Sequence, residues 1–298
     1  MKKTLFKKIL VGFAFSPNLK ANIFTSLRLA DSLKAEIFFI HVGKKTSVKE
    51  KTFEEILEDS PVQPKLIKVL WEEGGPIPTI LKMCEKNKID LLLLGAVQRE
   101  NVLRFYVGSI AREITRKAPC SVLLLIKPSI EEVPSKHVVV NALNEPNTEK
   151  TIRAAFEFSS LMDIPNVTLV GEISQSKVNV TADDDESLKK VTEIKEGIEN
   201  EEKNRYDEIL KNIPDSLKEN KKIQSQSIFG ARGYSIGHYA RVVRADLLVL
   251  NSETKRSSFI SRIFPKDLEH ILSELPTDVL IIKKLKTVNN ERLYKRSS

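Results

Sequence analysis

Asp90-Leu91-Leu92-Leu93-Leu94-Gly95, followed thirteen residues later by Gly108-Ser109, decides the fold. Successive leucines without alternation predict a strand buried on both faces, as in a parallel sheet. Gly95 allows a sharp turn where a side chain would obstruct. Gly108-Ser109 then opens a helix, with Ser109 suited to the N-cap. Free N–H groups at such a start form a natural phosphate site. A second version, Asp246-Leu247-Leu248-Val249-Leu250-Asn251, stands 156 residues further on.

Upstream, Ile9–Phe13 and Ile37–Val42 read as buried strands. Between them, Ile23, Leu27 and Ala30, with Phe24 and Leu33, recur at helical spacing. Gly43 to Pro64 is polar, with a short helical piece at Phe53, Ile56 and Leu57. Leu66–Trp71 is a third strand, broken by Gly74-Gly75-Pro76. Ile77, Ile80, Leu81 and Cys84 share a helix face. After the leucine strand, Ile110, Ala111 and Ile114 mark a helix that Pro119 ends before Ser121–Ile126. Five strands alternating with four helices predict an open doubly wound sheet.

Lys127–Lys136 is a linker, and His137-Val138-Val139-Val140 starts a second copy. Pro17-Asn18 corresponds to Pro146-Asn147, Ile23 to Ile152, Leu27 to Phe156, Gly74 to Gly230 and Ile80 to Ile236. Ala118-Pro119-Cys120-Ser121-Val122 corresponds to Leu275-Pro276-Thr277-Asp278-Val279. A period this long means duplicated domains and not a solenoid. The expected domains are 1–129 and 136–285, with a flexible basic tail at 286–298. The second copy has an expanded middle, Asp183–Ile213. Its apolar stripe of Leu188, Val191, Ile194, Ile198, Tyr206, Ile209 and Ile213 reads first as a helix packed on its own sheet, and second as a partner helix.

The 298 residues carry a net charge of +8, much of it at the two ends. With aromatics at 6% and no evident stacking platform, nucleic acid is not the expected partner. No apolar run is long enough to span a membrane, and no secretory leader is apparent. Cys84 and Cys120 read as small core residues, which suits a reducing cytoplasm. His41, His137, His238 and His270 show no metal spacing. His41 follows a strand and reads as packed there. Gly230-Ala231-Arg232-Gly233 reads as a turn into a helix. Arg99 and Arg104, like Arg256 and Arg262, are loop charges able to grip an anion.

On Ile9–Gly12 with Phe15-Ser16, His41-Val42, Asp90–Gly95, Gly108-Ser109-Ile110-Ala111 and Ala118–Leu123, the chain resembles the universal stress protein family in its tandem form. The resemblance implies two tandem α/β domains, each a doubly wound parallel five-stranded sheet of order 3-2-1-4-5, of the adenine nucleotide alpha hydrolase-like kind. Family members commonly dimerise through the fifth strand. That implies edge-to-edge pairing of Val122–Ile126 with Val279–Ile282 inside one chain, covering edges that otherwise invite aggregation.

Some members of the family bind ATP through G-x2-G-x9-G-[ST]. Carried over, Phe13 and Val42 would lie near the base, and Gly95, Gly108, Ser109 and Ile110 near the phosphates. The chain departs from that pattern. The second glycine is Gln98, and the usual aspartate after the first strand is Ala14. In the second half the positions become Asn251, Thr254, Pro265 and Lys266, with Leu143 for the aspartate. Pro265 has no N–H to offer a phosphate, while Lys266 supplies a point charge. The expected role is a cytoplasmic stress-response binding or regulatory module, with ATP or another nucleotide in the first domain only. The alternatives are a nucleotide-free interaction scaffold and a slow nucleotidase, though no acid–base pair or metal constellation is visible. The expected partners are the other half of the chain, a second copy in a homodimer, and a further protein.

Overall fold

A computed structural model of the protein describes residues 5–98, 105–178, 184–252 and 266–283. The first half runs β1 (Lys8–Gly12), α1 (Leu19–Leu33), β2 (Glu36–Val42), α2 (Ser47–Glu58), β3 (Ile67–Glu72), α3 (Pro76–Lys86), β4 (Leu91–Gly95), a short hairpin of β5 (Val97–Gln98) and β6 (Phe105–Tyr106), α4 (Ser109–Lys117) and β7 (Ser121–Leu125). The second runs β8 (His137–Asn141), α5 (Thr148–Leu161), β9 (Asn166–Ile173), α6 (Asp185–Lys211), α7 (Asp215–Lys218), β10 (Lys222–Phe229), α8 (Tyr234–Val242), β11 (Leu247–Asn251), α9 (Lys266–Ser273) and β12 (Asp278–Ile282). The β5–β6 hairpin stands where the sequence predicts only a loop.

The strands form a ten-stranded sheet, β10-β9-β8-β11-β12-β7-β4-β1-β2-β3. Each half therefore has the order 3-2-1-4-5, and the halves meet at their fifth strands. Every neighbouring pair is parallel except β12–β7, where Val279, Leu280 and Ile281 oppose Leu124, Leu123 and Val122. Both fifth strands are interior to the sheet. The edge that the family resemblance implies for dimerisation is thus used within this chain, and β3 and β10 are the outer edges.

Alternation across the strands assigns the helices to two layers. Ile9, Val11, Leu91, Leu93 and Leu123 pack with α1, α2 and α5 on one face. Leu10, Leu92, Leu94, Val122 and Leu124 pack with α3, α4, α8 and α9 on the other. Leu91–Leu94 are all buried, which is why this strand reads as an unbroken apolar run. The flanking aspartates also have a structural reason to recur. Asp90 Oδ2 accepts the N–H groups of Lys7 (3.0 Å) and Lys8 (3.1 Å). Asp246 Oδ2 accepts those of Lys136 (2.6 Å) and His137 (3.0 Å). Each carboxylate ties the fourth strand of its half to the start of the first.

Side chains extend the β7–β12 ladder at both ends. Lys283 donates its N–H to Ser121 Oγ (3.2 Å), and Ile126 donates its N–H to Asp278 Oδ1 (2.8 Å). The Lys283 ammonium donates to the carbonyls of Thr115 (2.7 Å), Arg116 (3.1 Å) and Ala118 (2.9 Å), capping the C-terminal end of α4. Burial pushes the Asp278 carboxyl up to about 6, and repulsion from Asp246 adds to this. A folded-state value above the unfolded 3.8 means that the folded chain holds a proton the unfolded chain has released. That stabilisation is complete below about pH 4 and is lost as pH rises through 6. Asp278→Asn keeps the acceptor for Ile126 and removes the charge. Urea unfolding should show the variant matching the parent near pH 4 and exceeding it by about 1–3 kcal/mol at pH 7.5. An equal difference at both pH values would refute a charge penalty.

In α6, Tyr206 is 1% exposed and Val191 is buried, whereas Leu188 is 54% exposed. The C-terminal part of the stripe packs on its own sheet, as the sequence suggests. Cys84 and Cys120 are buried free thiols. Contact with Cys120, then burial, holds the Cys84 thiol far above its ordinary range. Among the described residues no helix is long and apolar enough to cross a membrane.

Candidate functional site

The order β2-β1-β4 sets Val42, Phe13 and Gly95 side by side at the C-terminal edge of the sheet. Phe13 packs with the α1–α2 layer and Val42 with the opposite one, so their side chains are on different faces. Around Phe13 lies an aromatic cluster drawn from three adjacent strand ends and α2. Phe13 stacks on Phe53, with ring centroids 4.5 Å apart. Phe15 stacks on Trp71 at 6.1 Å, and His41 stands edge-on to Phe15 (5.1 Å) and Trp71 (5.5 Å). The Lys49 ammonium sits 5.4 Å over Phe15, and that of Lys45 sits 5.8 Å over Trp71.

His41 Nδ1 is 3.3 Å from the Phe13 carbonyl, and Nε2 is 3.3 Å from Lys49 Nζ. An ammonium only donates, so Nε2 accepts from Lys49 and Nδ1–H donates to Phe13. His41 is thus fixed by two bonds, packed at the strand end as expected. A stacking platform does exist, although the overall aromatic content predicts none. Its members are separated by up to 58 positions and meet only because the third, second and first strands are neighbours. The available signal was an aromatic or His at the end of each of those strands: Phe13 and Phe15, His41, and Trp71.

The glycine end departs from expectation in two details. Gly95 is not at a sharp left-handed turn; it pairs with Leu125 as the last residue of β4. A Cβ there would meet Asn22 Oδ1 at 3.5 Å, an ordinary contact. Gly108, not Ser109, is the N-cap of α4, with φ −58° and ψ 160°, and it has no side chain to cap the helix. Ser109 and Ile110 are exposed in the first helical turn, where N–H groups lack intrahelical partners. The side chain of Gln98, and all of Arg99, Arg104, Thr254, Arg256, Arg262, Pro265 and the 286–298 tail, lie outside the described residues, as does the side chain of Lys266.

In the second half, strand register places Ala142 for Phe13, Gly171 for His41, Glu172 for Val42 and Asn251 for Gly95. The corresponding space is filled by α6. Arg205 donates to the Ala142 carbonyl and to Glu202, and its guanidinium lies 4.6 Å over the Tyr206 ring. Tyr206 lies so close over Gly171 that a Cβ there would be 2.1 Å from its hydroxyl. Glu172, a buried carboxylate, accepts from the N–H groups of Gly233 (3.0 Å) and Ile236 (2.8 Å) at the start of α8. That helix end already has its anion. The Gly230–Gly233 segment is a turn into a helix, as read. Asn251 Nδ2 donates to the Pro146 carbonyl (2.6 Å), closing the loop over the strand end.

The two 3-2-1-4-5 halves of the sheet define a tandem, doubly wound adenine nucleotide alpha hydrolase-like fold. Residues 5–125 match the model of the universal stress protein family. The match lies on the first half of the chain. Universal stress protein MJ0531 of Methanocaldococcus jannaschii is 36% identical over 59 residues, which is 20% of this chain and 35% of the relative. The match thus spans about a third of that relative's length. A universal stress protein from Archaeoglobus fulgidus superposes with a TM-score of 0.60 at 13% identity, covering 94% of this chain and 97% of the other. A protein of unknown function from Pseudomonas aeruginosa gives 0.61 at 14% identity, covering 94% and 93%. These structural likenesses extend the shared fold over both halves.

Proposed function

We propose that this chain is a cytoplasmic stress-response binding protein that takes up one adenine nucleotide, ATP, in its first-half cleft. The observation that carries the reading is the difference between the two halves. The second cleft is filled by Glu202, Arg205 and Tyr206, and the start of α8 is occupied by Glu172. In the first half, the start of α4 has no capping side chain, and Ser109 and Ile110 stand exposed. Its N–H groups and helix dipole suit phosphate oxygens. Half-buried Phe15 and Trp71 suit a base, and Lys45 and Lys49 give that end of the cleft a positive field.

A second reading, a nucleotide-free interaction scaffold, is favoured by one specific feature. The Phe13 carbonyl and ring, which the family resemblance assigns to the base, are engaged by His41 and Phe53. Calorimetric titration of the full chain with ATP separates the two readings. One nucleotide per chain is expected, with an upward shift of a few degrees in Tm at saturation. No heat and no shift at millimolar ATP would establish the scaffold instead.

A further inference from the structure

The ligand end of the first half is held by the second half. Just before α4, Val107 donates its N–H to the Leu272 carbonyl (3.0 Å), and the Phe105 carbonyl accepts the N–H of Leu275 (2.8 Å). Both partners lie at or just beyond the C-terminal end of α9. Within α4, Arg112 Nη2 donates to the same Leu272 carbonyl (3.2 Å), and its Nη1 is 3.7 Å from Glu269 Oε2. One turn later, Arg116 forks onto Glu269, with Nε to Oε1 at 2.5 Å and Nη2 to Oε2 at 2.6 Å. The turn Ser109–Ala111 is therefore bracketed, by backbone bonds before it and by two arginines after it. Both arginines converge on one carboxylate, whose side chain is only 28% exposed. Without that carboxylate, two like charges four residues apart on α4 lose the partner they share.

We propose that Glu269 is a positioning residue for the first-half ligand site, acting through Arg112 and Arg116 to fix the first turn of α4. The assignment rests on the nucleotide reading of that site. It gives the second half, whose own cleft is filled, a task in binding: it sets the geometry of the other cleft. Preorganised N–H groups bind an anion without first being ordered, so loosening them weakens binding while leaving every direct contact in place. The bidentate fork confers direction as well as charge, which a single N–H contact does not.

The test is Glu269→Gln in the full chain, read by site-resolved hydrogen exchange and by ATP titration. The amide of Arg112, which donates to the Gly108 carbonyl (2.8 Å) and so reports closure of the first turn, should exchange about 10-fold faster, with protection of β7 and β12 unchanged. The ATP Kd should rise about 5- to 10-fold. Arg116→Gln should reproduce part of the effect, and Arg116→Gln with Glu269→Gln should cost less than the two singles multiplied, because they remove the same fork. Unaltered exchange at Arg112 would overturn the proposal. So would equal loss of protection in β7 and β12, which would make Glu269 an ordinary junction residue. Exchange is measured without nucleotide, so a parent chain that binds no ATP would defeat the reading of the site while the exchange result still decides whether Glu269 positions the turn.

Discussion

Gly171→Ala lowers the stability of the protein by about 2–4 kcal/mol, as for an overpacked core site, measured by urea unfolding followed by circular dichroism. In a strand interior this substitution ordinarily stabilises, because alanine loses less backbone entropy on folding than glycine. The expected sign is therefore opposite to the intrinsic one and comes wholly from packing. A Cβ at Gly171 would lie 2.1 Å from the Tyr206 hydroxyl, well inside contact distance. Tyr206 has little room to retreat. It is 1% exposed, and Arg205 covers its ring at 4.6 Å. The next Tyr206 atom, Cζ, is 3.4 Å from the same point, a tolerable contact. Tyr206→Phe should therefore rescue Gly171→Ala to within about 1 kcal/mol of the parent. On its own, Tyr206→Phe should be neutral or slightly stabilising, since the hydroxyl is buried without a hydrogen-bond partner among the described residues. A stable Gly171→Ala with Tyr206 unmoved would show that α6 does not occupy the second cleft.

The linear sequence displays some of these features and hides others. Duplication, strand order and the meeting of the fifth strands were legible because buried parallel strands leave contiguous marks: Leu91–Leu94 and Leu247–Leu250, each preceded by an aspartate. The aspartates recur because each ties two strands together, so that repeat is structural and carries no ligand chemistry. Three-dimensional neighbourhoods were not legible. The stripe of α6 predicts that Tyr206 is buried but not that it lies over Gly171. The exchange of His41 for Gly171 between halves becomes meaningful only when strand register places them at equivalent points. The aromatic cluster is similar. An overall aromatic content of 6% hides a local concentration assembled from the ends of β1, β2 and β3. Gly95 shows the opposite error. A glycine after a strand suggests a turn, but here it is the last ladder residue, and its lack of a side chain leaves the cleft floor open beside Asn22.

Ser109→Asp should reduce ATP affinity about 30- to 150-fold without weakening the fold. Ser109 is the first residue of α4 and is exposed. A carboxylate at that position favours the helix, contributing about 0.3–1 kcal/mol through the dipole. Toward a bound polyphosphate the same carboxylate is repulsive. At about 4–5 Å and an effective dielectric near 20, each pair of unit charges costs about 3–4 kcal/mol before screening. Allowing for solvent at an exposed site, about 2–3 kcal/mol remains, which gives the stated factor. The added charge thus moves the two readouts in opposite directions, an unchanged or higher Tm without ligand and a much weaker Kd with it. Ser109→Ala is the matching control. It removes one hydroxyl and leaves the backbone N–H groups, so a loss of only a few-fold is expected. If Ser109→Asp instead binds ATP as the parent does, the phosphates are not at α4. The positive field of Lys45 and Lys49 over Phe15 and Trp71 would then be the place to look, and Lys49→Glu the variant that loses binding.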